Sequence, residues 1–161
     1  MGVEQIFTGD LDQDWASLCA LWTREDRVLG SEVGPRWETP SEHAACVEFA
    51  KRYPGSRDFL LARLDDPDPR LAAYAFKCLV RVTDLKPSDL PRATRERRDR
   101  ITFLQHSTSS AQTLSEFFGG YFAQYSGRDE LLDEQRRTQD WQDNELAKYK
   151  RASGADGPSI P

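Results

Sequence analysis

Apolar and polar positions along most of this chain repeat with the 3.6-residue period of a helix. Between Leu11 and Asp26, Trp15, Leu18, Cys19 and Trp22 fall at i, i+3, i+4 and i+7, a single apolar stripe. Two indoles on one stripe read as core packing. Residues 28–38, VLGSEVGPRWE, interrupt the period with Gly and Pro and read as a loop carrying Trp37. A second helix opens with Thr39 as cap, Pro40 in the first helical position and Glu42 completing a capping box. Its stripe is Cys46, Phe49, Ala50 and Tyr53, and Pro54-Gly55 ends it. A third, Arg57–Leu64, presents Phe59, Leu60, Leu61 and Leu64.

Two Asp-Pro steps follow. Asp68 is a strong N-cap and Pro69 suits the first helical turn, so a fourth helix, Arg70–Val82, starts almost where the third stops. The short turn implies a tight antiparallel hairpin. At about 100° per residue, Leu71, Ala72, Ala75, Phe76, Leu79 and Val82 span a wide apolar arc, and Arg70, Tyr74, Lys77 and Arg81 make a narrow stripe left for solvent. Beyond Pro91 the pattern predicts a mostly exposed helix closing with Ile101, Phe103 and Leu104. A sixth helix, about Ser110–Tyr125, would align Ala111, Leu114, Phe118, Tyr121, Phe122 and Tyr125. Gly119-Gly120 inside it costs about 1 kcal/mol per Gly, which implies a close helix crossing or a kink. A seventh, Asp129–Arg151, is polar with scattered anchors, solvated or loosely docked. Residues 152–161, ASGADGPSIP, read as a disordered tail.

The stretch Ser56–Val82 resembles a single HEAT-type repeat. Asp68-Pro69 matches the turn of that family, and Leu71, Ala75, Leu79 and Val82 match its apolar spacing, while Ala72 stands where many such repeats carry Arg. The resemblance covers 27 of 161 residues. It implies an all-α fold: a compact array of helical hairpins, a short degenerate HEAT-like α-solenoid of about seven helices, with one domain over 1–151. It also implies that the stripe Arg70, Tyr74, Lys77 and Arg81 lines a concave binding groove.

Composition narrows the function. With 38% hydrophobic and 30% charged residues, and no apolar run approaching the roughly 18 residues of a membrane span, the chain reads as soluble. Its first residues are acidic where a signal peptide would be basic. Gly2 is followed by Ile6 where a myristoylation motif wants Ser or Thr. Three separated cysteines on apolar faces read as reduced thiols, so a cytoplasmic protein is expected. The net charge of −5 disfavours nucleic acid, although residues 86–100 hold six bases against three acids.

No residues suggest catalysis. His43 and His106 lack metal-ligand spacing; His43 reads as a surface or packing residue and His106 as the end of a helix. Asp65, Asp66 and Asp68 are explained by turn chemistry rather than calcium, and no phosphate-cradling glycine loop occurs. The expectation is therefore a non-enzymatic protein–protein interaction module, monomer or homodimer, without cofactor or metal. Its function would be to bind and neutralise a partner protein, as bacterial immunity or antitoxin proteins do. The candidate contact residues are Arg70, Tyr74, Lys77 and Arg81, together with Arg92, Arg95 and Arg98 from the second basic cluster. The alternative is nucleic-acid binding through the same two patches, around 70–81 and 92–100, as in HEAT-like DNA glycosylases.

Overall fold

The computed structural model describes residues 2–120, Phe122 and 140–150. The chain divides into two compact units, Met1–Gly120 and Tyr121–Pro161. In the first, a 3-10 turn at Val3–Ile6 leads into α1 (Leu11–Trp22), β1 (Val28–Val33), α2 (Ser41–Arg52), α3 (Arg57–Arg63) and α4 (Pro69–Val82). A 3-10 turn at Pro87–Asp89, the single-turn α5 (Arg92–Arg95), β2 (Arg100–His106) and β3 (Thr108–Thr113) complete the order, and residues 114–120 are helical.

The three strands form one mixed sheet in the order β1-β2-β3, with β1 parallel and β3 antiparallel to β2. The fold is therefore helical but not all-α, and no HEAT-like solenoid is formed. The α3–α4 pair exists, but α4 packs on α2 and the sheet rather than on a stack of hairpins. The strands occupy segments the helical reading misassigns. Val28, Leu29 and Gly30 are buried in succession, as happens when a strand is covered on both faces. Arg100-Ile101-Thr102-Phe103 alternates polar with apolar residues, the two-residue period of a pleat. The helix predicted beyond Pro91 stops at Arg95, so Ile101, Phe103 and Leu104 belong to β2. The sixth predicted helix likewise loses Ser110–Thr113 to β3.

Local signals account for the helices that were anticipated. Asp68 caps α4 by accepting the Arg70 amide at 2.9 Å, with Pro69 in the first turn. Asp10 caps α1 through the Gln13 amide. The capping box expected at Thr39 does not form: α2 begins at Ser41, and the Glu42 carboxylate pairs with Arg24 at 2.6 Å instead.

An aromatic cluster fills the centre of this unit. Trp15 meets Trp22, Phe49 and Phe59 edge to face, and Trp22 stacks on Tyr74 with ring centroids 4.9 Å apart. The Trp22 indole N–H donates to the Glu42 carbonyl at 3.0 Å, so the largest core side chain keeps its polar atom satisfied. Asp14, also enclosed, accepts from the Thr8 amide and hydroxyl, the Gly9 amide and the Tyr53 hydroxyl. Burial acts to raise its pKa, but these hydrogen bonds outweigh it and hold the carboxyl below the usual range. On the sheet, Phe103 meets Phe117, and Phe117 and Phe118 meet Phe76 of α4. Gly30 leaves room for the Gln105 side chain where β1 passes β2: a Cβ there would fall 1.7 Å from its amide oxygen, so that side chain would have to move aside. Gly119 and Gly120 are exposed, and among the described residues an added Cβ at either meets nothing within 4 Å, so no close crossing by those residues explains them.

In the second unit, residues 140–150 are helical, with Trp141, Leu146 and Tyr149 more than half exposed. The predicted apolar residues Tyr121 and Tyr125, the helix start at 129–139 and the tail at 152–161 lie outside the described residues. Among the described residues, no helix is long and apolar enough to cross a membrane.

Candidate functional site

The stripe Arg70, Tyr74, Lys77 and Arg81 does not form a solvent-facing groove. Tyr74 and Lys77 are enclosed. The Tyr74 hydroxyl accepts the Leu29 amide at 2.9 Å, and the Lys77 ammonium donates to the Leu29 carbonyl at 2.5 Å. In a strand, the amide and carbonyl of one residue point to the same side. Leu29 turns both away from β2, and two side chains of α4 stand in for a neighbouring strand. Tyr74 and Lys77 are polar because they complete the edge of a sheet, a task that a helical wheel cannot distinguish from meeting water.

The surroundings perturb these groups strongly. Burial, with Arg81 adding to it and Cys46 opposing, pulls Lys77 down to about 8. Burial first, then Lys77 and Arg81, holds His43 down at about 3, so the ring stays neutral near neutral pH. His43 is therefore a packed residue of α2, with Arg81 3.4 Å from its Nε2. Burial pushes the Tyr74 phenol far above its usual range and keeps it a neutral acceptor. The Cys46 thiol of α2 donates to the Tyr74 carbonyl of α4 at 3.9 Å, and burial, reinforced by Cys46, raises Cys78. Cys19 is half-buried and lifted to about 11, mainly by burial. Cys19 and Cys78 are therefore resting thiols. Cys46 is enclosed, and there burial is outweighed by Cys78, Lys77 and Arg81, which hold it below its usual value.

The second cluster is at the surface. Thr94 donates to Asp65 at 2.9 Å, and Arg97 donates to the Leu64 carbonyl at 2.7 Å while pairing with Asp99 at 3.0 Å. These contacts fasten residues 92–99 to the end of α3. They leave Arg92, Arg95, Arg98 and Arg100 exposed. Arg92 pairs with Glu96, whereas Arg98 and Arg100 have no side-chain partner among the described residues.

A cleft of about 820 Å³ is lined by Arg92, Arg98 and Arg100 with Glu96, Thr113, Ser115 and Glu116. An adjoining cleft of about 680 Å³ shares Arg100 and is walled by Arg70, Asp68, Thr102 and Ala111. Arg70 reaches it while bound to Asp68 at 2.9 Å and to the Glu25 carbonyl. Of the sequence candidates, the structure thus gathers Arg70, Arg92 and Arg98 around Arg100. It leaves Arg95 outside the cleft lining and Tyr74 and Lys77 inside the fold.

A third feature was not anticipated. Trp37, 60% exposed, lies against the His106 ring with centroids 4.2 Å apart, and His106 Nδ1 is 3.7 Å from Glu32. Both Trp37 and His106 have positive φ, 52° and 55°, at the tips of adjoining turns, where Gly or Asn is usual. His106 ends a strand rather than a helix.

Comparison with family models, with curated proteins and with solved structures finds no match to this chain. Among the described residues, no group of three His, Cys, Asp or Glu side chains is placed to hold a metal ion.

Proposed function

We propose that this chain is a non-enzymatic protein-binding module whose contact surface is the arginine-walled cleft around Arg100, and that it acts by engaging and neutralising a partner, as immunity and antitoxin proteins do. The observation that carries this reading is the pair Arg98 and Arg100, exposed, without side-chain partners among the described residues, on a chain whose net charge is −5. Unpaired guanidinium groups concentrated on one surface favour carboxylate recognition through planar, two-pronged hydrogen bonds. Glu96 and Glu116 in the same lining repel any anion, and the net charge of −5 weighs further against the continuous run of phosphates on a nucleic acid.

The test is co-purification from native lysate with mass spectrometry, followed by calorimetric titration of the recovered protein. Wild-type protein is expected to retain one stoichiometric partner, Arg98→Glu with Arg100→Glu to lose it, and Arg95→Glu to keep it. A partner indifferent to the double charge reversal would remove the cleft from the reading. Salt-dependent binding of short duplex DNA, lost in the same double variant, would replace the protein partner with nucleic acid.

A further inference from the structure

The sheet has two edges, and they are finished differently. At β1 the outward amide and carbonyl of Leu29 are occupied by Tyr74 and Lys77. At β3 the Thr113 amide turns away from β2 toward Glu116 Oε1, 3.4 Å away. Amides on an antiparallel strand face alternate sides, so those of Ala111 and Ser109 also face outward.

Six consecutive residue pairs join β2 to β3 without a bulge, and Thr108–Ala111 are exposed. The strand carries no Lys, Pro or charged residue of the kind that usually blunts a free edge. It also borders the clefts: Thr113 lines the one holding Arg92, Arg98 and Arg100, and Ala111 lines its neighbour. Arg100 pairs with Thr113 across the ladder, and Thr102 pairs with Ala111. Directly opposed residues share a face, so the long Arg100 side chain has only the small Thr113 between it and the place of an added strand, about 4.8 Å beyond β3.

We infer that β3 is a docking edge, on which an extended acidic segment of a partner protein pairs as a fourth strand with Ser109 and Ala111 while its carboxylates meet Arg98 and Arg100. This rests on the protein-binding reading and adds the mode of contact. Main-chain pairing supplies affinity in such strand addition, and side chains at alternate positions supply specificity. Charge selects the occupant. A second copy of this chain would offer the arginines Thr, Ser, Ala and Gln from its own β3, and no carboxylate.

The experiment pans the full-length protein against a phage library of random decapeptides and follows the most enriched one, as a synthetic peptide, by amide hydrogen exchange. Enriched sequences are expected to place Asp or Glu at alternate positions. The peptide should slow exchange at Ser109 and Ala111, while Ser110 and Gln112, already bonded to β2, stay unchanged. Ala111→Pro should weaken the peptide about tenfold, equivalent to one or two lost hydrogen bonds. Exchange on the wild-type protein answers the question even where the proline variant folds poorly. Acidic peptides that depend on Arg98 and Arg100 but leave Ser109 and Ala111 unprotected would overturn strand addition and preserve the cleft. Peptides enriched without acidic residues, or binding untouched by Arg98→Glu with Arg100→Glu, would overturn both. Concentration-dependent protection of the same two amides without peptide would make the occupant a second copy and overturn the partner assigned here.

Discussion

Leu29 at one edge of the sheet and Ala111 at the other both turn a backbone amide away from β2, and they meet opposite surroundings. Leu29 is buried, and its amide and carbonyl reach a phenol and an ammonium that α4 places at 2.9 and 2.5 Å. Ala111 is exposed among Thr, Ser and Gln. A strand edge deep in a protein has to be satisfied from within, because an unpaired buried amide or carbonyl costs about 1–3 kcal/mol. The same groups at a surface are satisfied by water. The contrast shows how one sheet carries a structural edge and an available edge, and why polar residues in the core can serve the fold while bland residues at the surface mark the place for a partner.

The comparison breaks most visibly at Tyr74. Tyr74→Ala removes the ring stacked on Trp22 together with the acceptor for Leu29, and should cost about 3–5 kcal/mol, read as a fall in the denaturant midpoint.

Lys77→Met comes next. It fills similar space but leaves the Leu29 carbonyl without its donor, for about 1–3 kcal/mol at neutral pH. Its pH dependence sharpens the point. The folded-state pKa of about 8 lies below the ordinary 10.5. Between those values the unfolded chain therefore holds more protons, and the Lys77 contribution to stability rises with pH. Below about 8 the ammonium is charged in both states and the contribution is flat. Wild type minus Lys77→Met, measured by urea titration from pH 7 to 10.5, should show this rise; a difference independent of pH would mean that Lys77 is not depressed.

Trp37→Ala should cost about 0.5–1.5 kcal/mol, the worth of an aromatic contact. Trp37→Gly should cost less, since glycine relieves the positive φ of 52°. Thermal melts of the two variants give the order.

The smallest effect belongs to the open edge. Ala111→Lys should leave stability within about 0.5 kcal/mol, as for surface positions without special contacts. A loss on the scale of Tyr74→Ala would show that β3 is not free.

The start of α4 was legible at Asp68-Pro69, where a cap and a proline coincide, because that signal is local; the same pairing at Thr39-Pro40 marked α2 but not its cap. The strands were not. VLGSEV is short, with its apolar residues at the two ends rather than alternating, and TSSAQT has no apolar face to show a period. Both depend on β2 for their identity, and that dependence spans the chain. The basic cluster at 92–100 could be read from composition, and Arg98 does line a cleft. Arg100 contributes to that charge, but composition alone does not single it out for binding. Its place between Asp99 and Ile101, at the start of an alternating run, was the available clue. The stripe on α4 misled for a physical reason. Amphipathicity reports that a helix has two environments, and here the polar one is the backbone of a strand.

The sealed edge at β1 also carries an order of assembly. The β2–β3 hairpin joins neighbours in sequence and can close within about 1–10 μs. β1 must find Phe103 for Val28, and Tyr74 and Lys77 for Leu29, at separations of 45 and 48 residues for the latter two. Long closures of this kind slow the search. On this ground the first strand in the chain is expected to be the last completed, with its apolar run Val28-Leu29 open until α4 arrives. The edge that is safest in the finished protein is the one most vulnerable to wrong pairing while the chain folds.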